Sequence, residues 1–128
     1  MELEIGMKGY SETLVEKEDT ACEVGSGSLL VYATPCMVAL MEGAACNAIS
    51  QALTEDKTSV GISLDISHIS ATPVGMEVHA EAELLEINKN TLTFHVCALD
   101  EGGKIGEGTH KRAIVSSQRF LDKTYNKL

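Results

Sequence analysis

This sequence of 128 residues has no Trp, three Tyr, two Phe and two Pro. With aromatics at 4%, its core must be built from Val, Ile, Leu, Ala and Met, and no stacking platform for bases is available. Positive charge is scarce as well. Ten Lys and Arg stand against nineteen Asp and Glu, a formal net charge of −9. That balance excludes nucleic acid as a partner, because a phosphate backbone demands clustered cations. The four cysteines, Cys22, Cys36, Cys46 and Cys97, form no CxxC or CxxH pair. Zinc ribbons and thioredoxin-type sites are thereby excluded, and reduced thiols in a cytoplasmic protein are expected. HExxH, GxSxG, P-loop and GxGxxG motifs are all missing, so no metal is expected. Residues 1–9 lack an apolar run, so no secretory leader is expected.

One run invites misreading. Residues 29–53 carry a single charge, Glu42, over a length sufficient to span a bilayer. Pro35, Asn47, Ser50 and Gln51 interrupt it, and half of its residues are small. It reads as a short strand leading into a buried helix, and no membrane partner is expected.

What is present fits one ordinary domain over residues 1–128, with a polar tail at 121–128. Apolar residues make up 44% of the chain, and this length buries a core without metal or disulfide support. Residues 10–19 alternate mildly and suggest a first strand. Residues 24–28, VGSGS, read as a loop, and residues 29–33 as a short extended piece. Met37, Leu40, Met41, Ala44, Ala45, Ala48, Ile49 and Ala52 then recur at spacings of three and four, the stripe of an amphipathic helix. Thr34 suits its N-cap and Pro35 its first turn. The face opposite the stripe is Ser, Asn and Gln, which predicts a helix wrapped on most sides by protein.

From residue 57 onward the pattern is strand. Val60, Ile62, Leu64, Ile66 and His68 share one parity and are expected to face the core. Met76, Val78, Ala80, Ala82 and Leu84 form a second such row, and Leu92, Phe94, Val96 and Ala98 a third. A last strand is expected over residues 104–120. The order is β, one long helix, then an antiparallel meander. The predicted class is α+β: a hotdog fold, with a five-stranded antiparallel sheet around one central helix. Such a sheet leaves an edge strand exposed, and pairing across a two-fold axis removes it.

Three residues stand out chemically. Glu42 is the only charge near the helix stripe, where a carboxylate is costly without a partner. Its plain alternative is a side chain reaching solvent, and its functional one a general base. His68 takes an apolar place at the end of a core-facing row. Thr34 is either an ordinary cap or a hydroxyl at the helix mouth, where developing negative charge is stabilised. The Lys111-Arg112 pair beside His110 suits phosphates of coenzyme A, or is a solvated strand end. His79 and His95 lie on polar strand faces and read as surface.

Residues 33–42 (ATPCMVALME), 67–75 (SHISATPVG) and 106–112 (GEGTHKR) together resemble the fluoroacetyl-CoA thioesterase family. The similarity extends over roughly residues 10–120. It implies a hotdog dimer, or a dimer of dimers, with Thr34, Glu42 and His68 as the catalytic set. Substrate and coenzyme A contacts are expected at Gly75, His110, Lys111 and Arg112. The implied reaction is hydrolysis of an acyl-CoA thioester, with no cofactor beyond the coenzyme A of the substrate. One departure bears on specificity. The fluoroacetate-specific enzyme has a longer, Phe-containing lid before its Thr; here residues 24–32 are short and lack Phe, and Pro35 stands for a Gly. A short-chain or general acyl-CoA is therefore the expected substrate. The alternatives are a hotdog protein that binds an acyl-CoA or another small ligand without turnover, and a hotdog dehydratase or hydratase pairing His68 with Asp65. On a strand Asp65 points away from His68, which ranks that reading last.

Overall fold

The computed structural model describes residues 2–128. Its elements are β1 (Lys8–Leu14), a one-turn helix α1 (Ala21–Val24), α2 (Thr34–Ile49), β2 (Lys57–His68), β3 (Glu77–Asn88), β4 (Thr91–Asp100), β5 (Gly103–Ser116) and α3 (Ser117–Tyr125). All five strands pair antiparallel in the order β1-β3-β4-β5-β2. This is the hotdog arrangement expected from the sequence, with α2 as its filling.

The stripe forms because its spacing returns every three or four residues to one side of the helix. Met37, Met41, Ala44, Ala45 and Ile49 are buried, and Leu40 and Ala48 pack at their edges. The sheet meets them with Val78, Ala80, Ala82 and Leu84 of β3 and with Leu92, Phe94, Val96 and Ala98 of β4, all buried. Each large apolar side chain so removed from water contributes about 1.5–3 kcal/mol. Helix and sheet approach closely at β1. A Cβ on Gly9 would stand 2.1 Å from the Ala44 carbonyl oxygen and 2.3 Å from the Ala48 nitrogen.

Three expectations change. The first strand is shorter than residues 10–19, because the chain turns through a 3-10 segment at Lys17–Asp19. The row Val60, Ile62, Leu64, Ile66 and His68 does not keep one face. A bulge between Gly61 and Ser63 shifts the register by one residue. Gly61 and Leu64 oppose Arg112 and His110, whereas Val60 opposes Ala113. Val60 therefore lies on the other face, and Ile62 is 53% exposed on the bulge itself. Finally, the last strand stops at Ser116. Residues 117–125 form α3 in place of a strand end and a polar tail. Strand periodicity ends with Ile114 and Val115, and the Ser117 N–H turns to the Asp56 carbonyl.

Gly9→Ala should cost about 2–3 kcal/mol, because the clash is with backbone that cannot swing away. A drop in Tm of roughly 10 °C is expected in a calorimetric or circular-dichroism melt.

Candidate active site

Thr34 is not the helix cap. Ala33 holds that position, with φ −75° and ψ 137°, and its carbonyl accepts from the N–H groups of Cys36 and Met37. Thr34 is the first helical residue, and its hydroxyl is free of capping. Its Oγ1 lies 2.7 Å from Nδ1 of His68.

His68 closes β2, opposite Gly106 of β5. Burial pushes its pKa below the ordinary value, opposed in part by a backbone group of Ser70 that falls short of hydrogen-bonding geometry. Burial thus favours the neutral imidazole. Nε2 is buried and has no partner among the described residues. A buried polar atom left open in this way costs free energy and invites a ligand to complete it. The pair borders a cleft of about 300 Å³ whose walls include Ala21, Ser26, Tyr32 and Ala71.

Glu42 lies elsewhere. Eight residues along α2 from Thr34 amount to about 12 Å of rise. Its Oε2 is 3.4 Å from Nη1 of Arg112 and 3.8 Å from Nε2 of His110. The Arg112 guanidinium is only 8% exposed. It donates to Ser59 Oγ at 2.8 Å and to the Ser59 carbonyl at 3.0 Å. His110 is fully buried, stacks on Phe94 with ring centroids 6.3 Å apart, and places Nδ1 2.9 Å from the Ser63 carbonyl. A carbonyl only accepts, so Nδ1 carries the proton and Nε2 accepts from Arg112 at 3.1 Å. Burial, followed by the Arg112 charge, holds the His110 pKa down against the Ser63 bond and Glu42. The contact of Glu42 with His110 is thus no ion pair; the charge facing the carboxylate belongs to Arg112.

Of the residues singled out by sequence, Thr34 and His68 come together, and Glu42 joins His110 and Arg112. The solvated strand end considered for His110 and Arg112 is overturned. Both are internal, with their donors directed at Ser63, Ser59, Glu42 and each other, and they present no exposed charge to a phosphate. Lys111 is exposed, on the face opposite to theirs. Gly75 serves the turn before β3: its φ is 95°, and its N–H donates to the Val15 carbonyl at 2.8 Å. Asp65 is exposed, away from His68. Sequence reading missed Gly61 and Ser59. A Cβ on Gly61 would come within 2.5 Å of Glu42 Oε2. An isolated Gly inside a strand is the signal that marks such a close approach.

Two outcomes follow from this geometry. Gly61→Ala should fold normally, because the obstructed atom is the end of a flexible side chain, but it should displace the Glu42 carboxylate from Arg112. A thermal melt beside a crystal structure of the variant checks both halves. Stability should also fall as pH drops below about 6.5. Both buried histidines resist protonation when folded and accept it when unfolded, so the unfolded state binds more protons in that window. Denaturant titrations between pH 5 and 7 should show this slope, and a His68→Asn variant should reduce it, leaving the share of His110.

Comparison with known proteins gives a consistent answer. Residues 15–118 match the family described as FlK, fluoroacetyl-CoA-specific thioesterase. The fluoroacetyl-CoA thioesterase of Streptantibioticus cattleyicolor is 37% identical over 97 residues, 76% of this chain and 70% of that enzyme. A crystal structure of a mutant FlK bound to fluoroacetate superimposes with TM-score 0.92 at 29% identity, covering 98% of this chain and 99% of that one. A thioesterase-superfamily protein of Thermus thermophilus does so with TM-score 0.84 at 27% identity, covering 98% and 97%. With motif order, fold and most of its length in agreement, this chain belongs to the fluoroacetyl-CoA-specific thioesterase family.

Proposed function

We propose that the protein hydrolyses the thioester of a short-chain or general acyl-CoA, with water as co-substrate and a carboxylic acid and free coenzyme A as products. The observation that carries this reading is the Thr34–His68 pair on the wall of a cleft, with the buried Nε2 of His68 left without a partner among the described residues. With the Thr34 hydroxyl donating to Nδ1, Nε2–H is free to donate to the thioester carbonyl and then to the leaving thiolate. Thr34 fixes that tautomer and orients the acyl group. Glu42 acts as the base that activates water, or attacks the carbonyl itself. No metal or further cofactor enters this scheme.

Within one protomer Glu42 is too far along α2 to serve the pair at Thr34, so the reading includes a homodimer. The supporting observation is β2, an edge strand that exposes Ile62 and Leu64 at 53% and 47%. Two copies of β2 paired antiparallel about a two-fold axis between Leu64 and Asp65 would set position 61, beside Glu42, against position 68 of the second copy. The site would then take Thr34 and His68 from one copy and Glu42 from the other. A cytoplasmic location is supported by the four free thiols. Among the described residues no helix is long and apolar enough to cross a membrane. The residues before α2 expose Leu29 and Leu30 and contain no Phe, which favours a substrate other than fluoroacetyl-CoA.

Thiol release from a panel of acyl-CoAs, read with a thiol-reactive dye, tests the reaction. Folded Glu42→Ala and His68→Ala proteins should each lose about 10²–10⁴-fold in kcat; full activity in either would remove that residue from the scheme. Mixing the two inactive proteins should restore turnover, because each mixed dimer regenerates one complete site. No recovery despite subunit exchange would place each site within a single chain.

A further inference from the structure

Coenzyme A carries a cluster of phosphates, and a chain of net charge −9 must provide a local basic surface for it. The Lys111-Arg112 pair does not, since Arg112 is buried against Glu42 and Lys111 faces away. The described cations gather elsewhere. Lys57 at the start of β2, with Arg119 and Lys123 one turn apart on α3, line an open groove of about 570 Å³. Ile114 and Phe120 also line it, and Phe120 is 41% exposed. The one acid of the lining is Asp122, which accepts from Gln118 Nε2 at 2.8 Å. Lys17, Lys104 and Arg112 are committed to Glu23, Glu107 and Glu42, whereas none of the three groove cations is in an ion pair among the described residues. Three unpaired cations beside an exposed aromatic ring suit a phosphorylated adenosine: the ring stacks a base, and the cations meet phosphates.

The position is also right. A second cleft, of about 370 Å³, runs between the end of α2 and the start of β2, bordered by Cys46, Ser59 and Lys57. It shares Lys57 with the groove and reaches Ser59, the partner of Arg112. From Lys57 to Gly61, which touches Glu42, is four strand residues, about 13 Å. An extended pantetheine arm covers such a span. Resting on the acyl-CoA reading above, we propose that the groove formed by Lys57, Arg119, Lys123 and Phe120 is the subsite for the 3′-phosphoadenosine diphosphate of coenzyme A, and that the cleft beside α2 carries the pantetheine arm towards Glu42. The helix α3 is thus a substrate-binding element.

The test compares wild type with Arg119→Glu/Lys123→Glu, exposed positions whose replacement leaves the core intact. Two substrates are used: acetyl-CoA and the acetyl thioester of N-acetylcysteamine, which lacks the nucleotide. The double variant should raise KM for acetyl-CoA about tenfold or more per charge reversed, with kcat unchanged. It should leave the truncated substrate unaffected. Adenosine 3′,5′-bisphosphate should compete with acetyl-CoA in wild type and not in the variant. Equal KM values for acetyl-CoA in both proteins would overturn the subsite. Calorimetry with desulfo-CoA separates this proposal from the reaction itself. Binding by wild type that the variant loses supports the groove even without turnover, and binding that is the same in both overturns it.

Discussion

Helix α2 carries one charge in sixteen residues, and the sheet covers its apolar face. This constraint shapes the rest of the molecule. The helix packs mainly against β1 and β3, through Gly9 on one side and the rows of Val78 and Phe94 on the other. It stands off from β2, the far edge of the sheet. Every polar feature of consequence lies in or beside that gap: Thr34 at the helix mouth, Glu42 at its middle, and the cleft at its end.

The gap explains how a carboxylate survives on an otherwise uncharged helix. The Glu42 side chain keeps 36% of its surface exposed, whereas the Arg112 side chain is buried and would be costly without a partner. Together with Ser59 and a neutral His110 they satisfy one another, and Phe94 supports the histidine ring from below. Gly61 leaves room for the carboxylate by having no side chain. The G-x-G-T-H-x-R strand thus supplies the buried support of Glu42. Charge for the nucleotide is carried by a different element, α3.

Much was legible beforehand because it rests on periodicity. Spacings of three and four mark one face of a helix, and alternation marks one face of a strand wherever no bulge interrupts it. Hence α2, the rows of β3 and β4, and the hotdog class were readable. Single-residue features were readable where the residue type was out of place. Glu42 was the lone charge in an apolar run, and His68 stood where an apolar residue belonged. The family resemblance joined those two to Thr34.

Other features were decided only in three dimensions. The bulge at Gly61 and Ser63 leaves no mark on hydrophobic alternation, yet it reverses the face of Val60. The cap fell one residue early, at Ala33, because helix ends depend on which carbonyl accepts the first bonds. That shift freed the Thr34 hydroxyl for His68. The burial of Arg112 and its meeting with Glu42 depend on contacts distant in the chain, which no local pattern encodes. The sequence determined which residues are chemically unusual, since composition and spacing are local properties. The tertiary structure decided which of them meet, since that depends on sheet order and register.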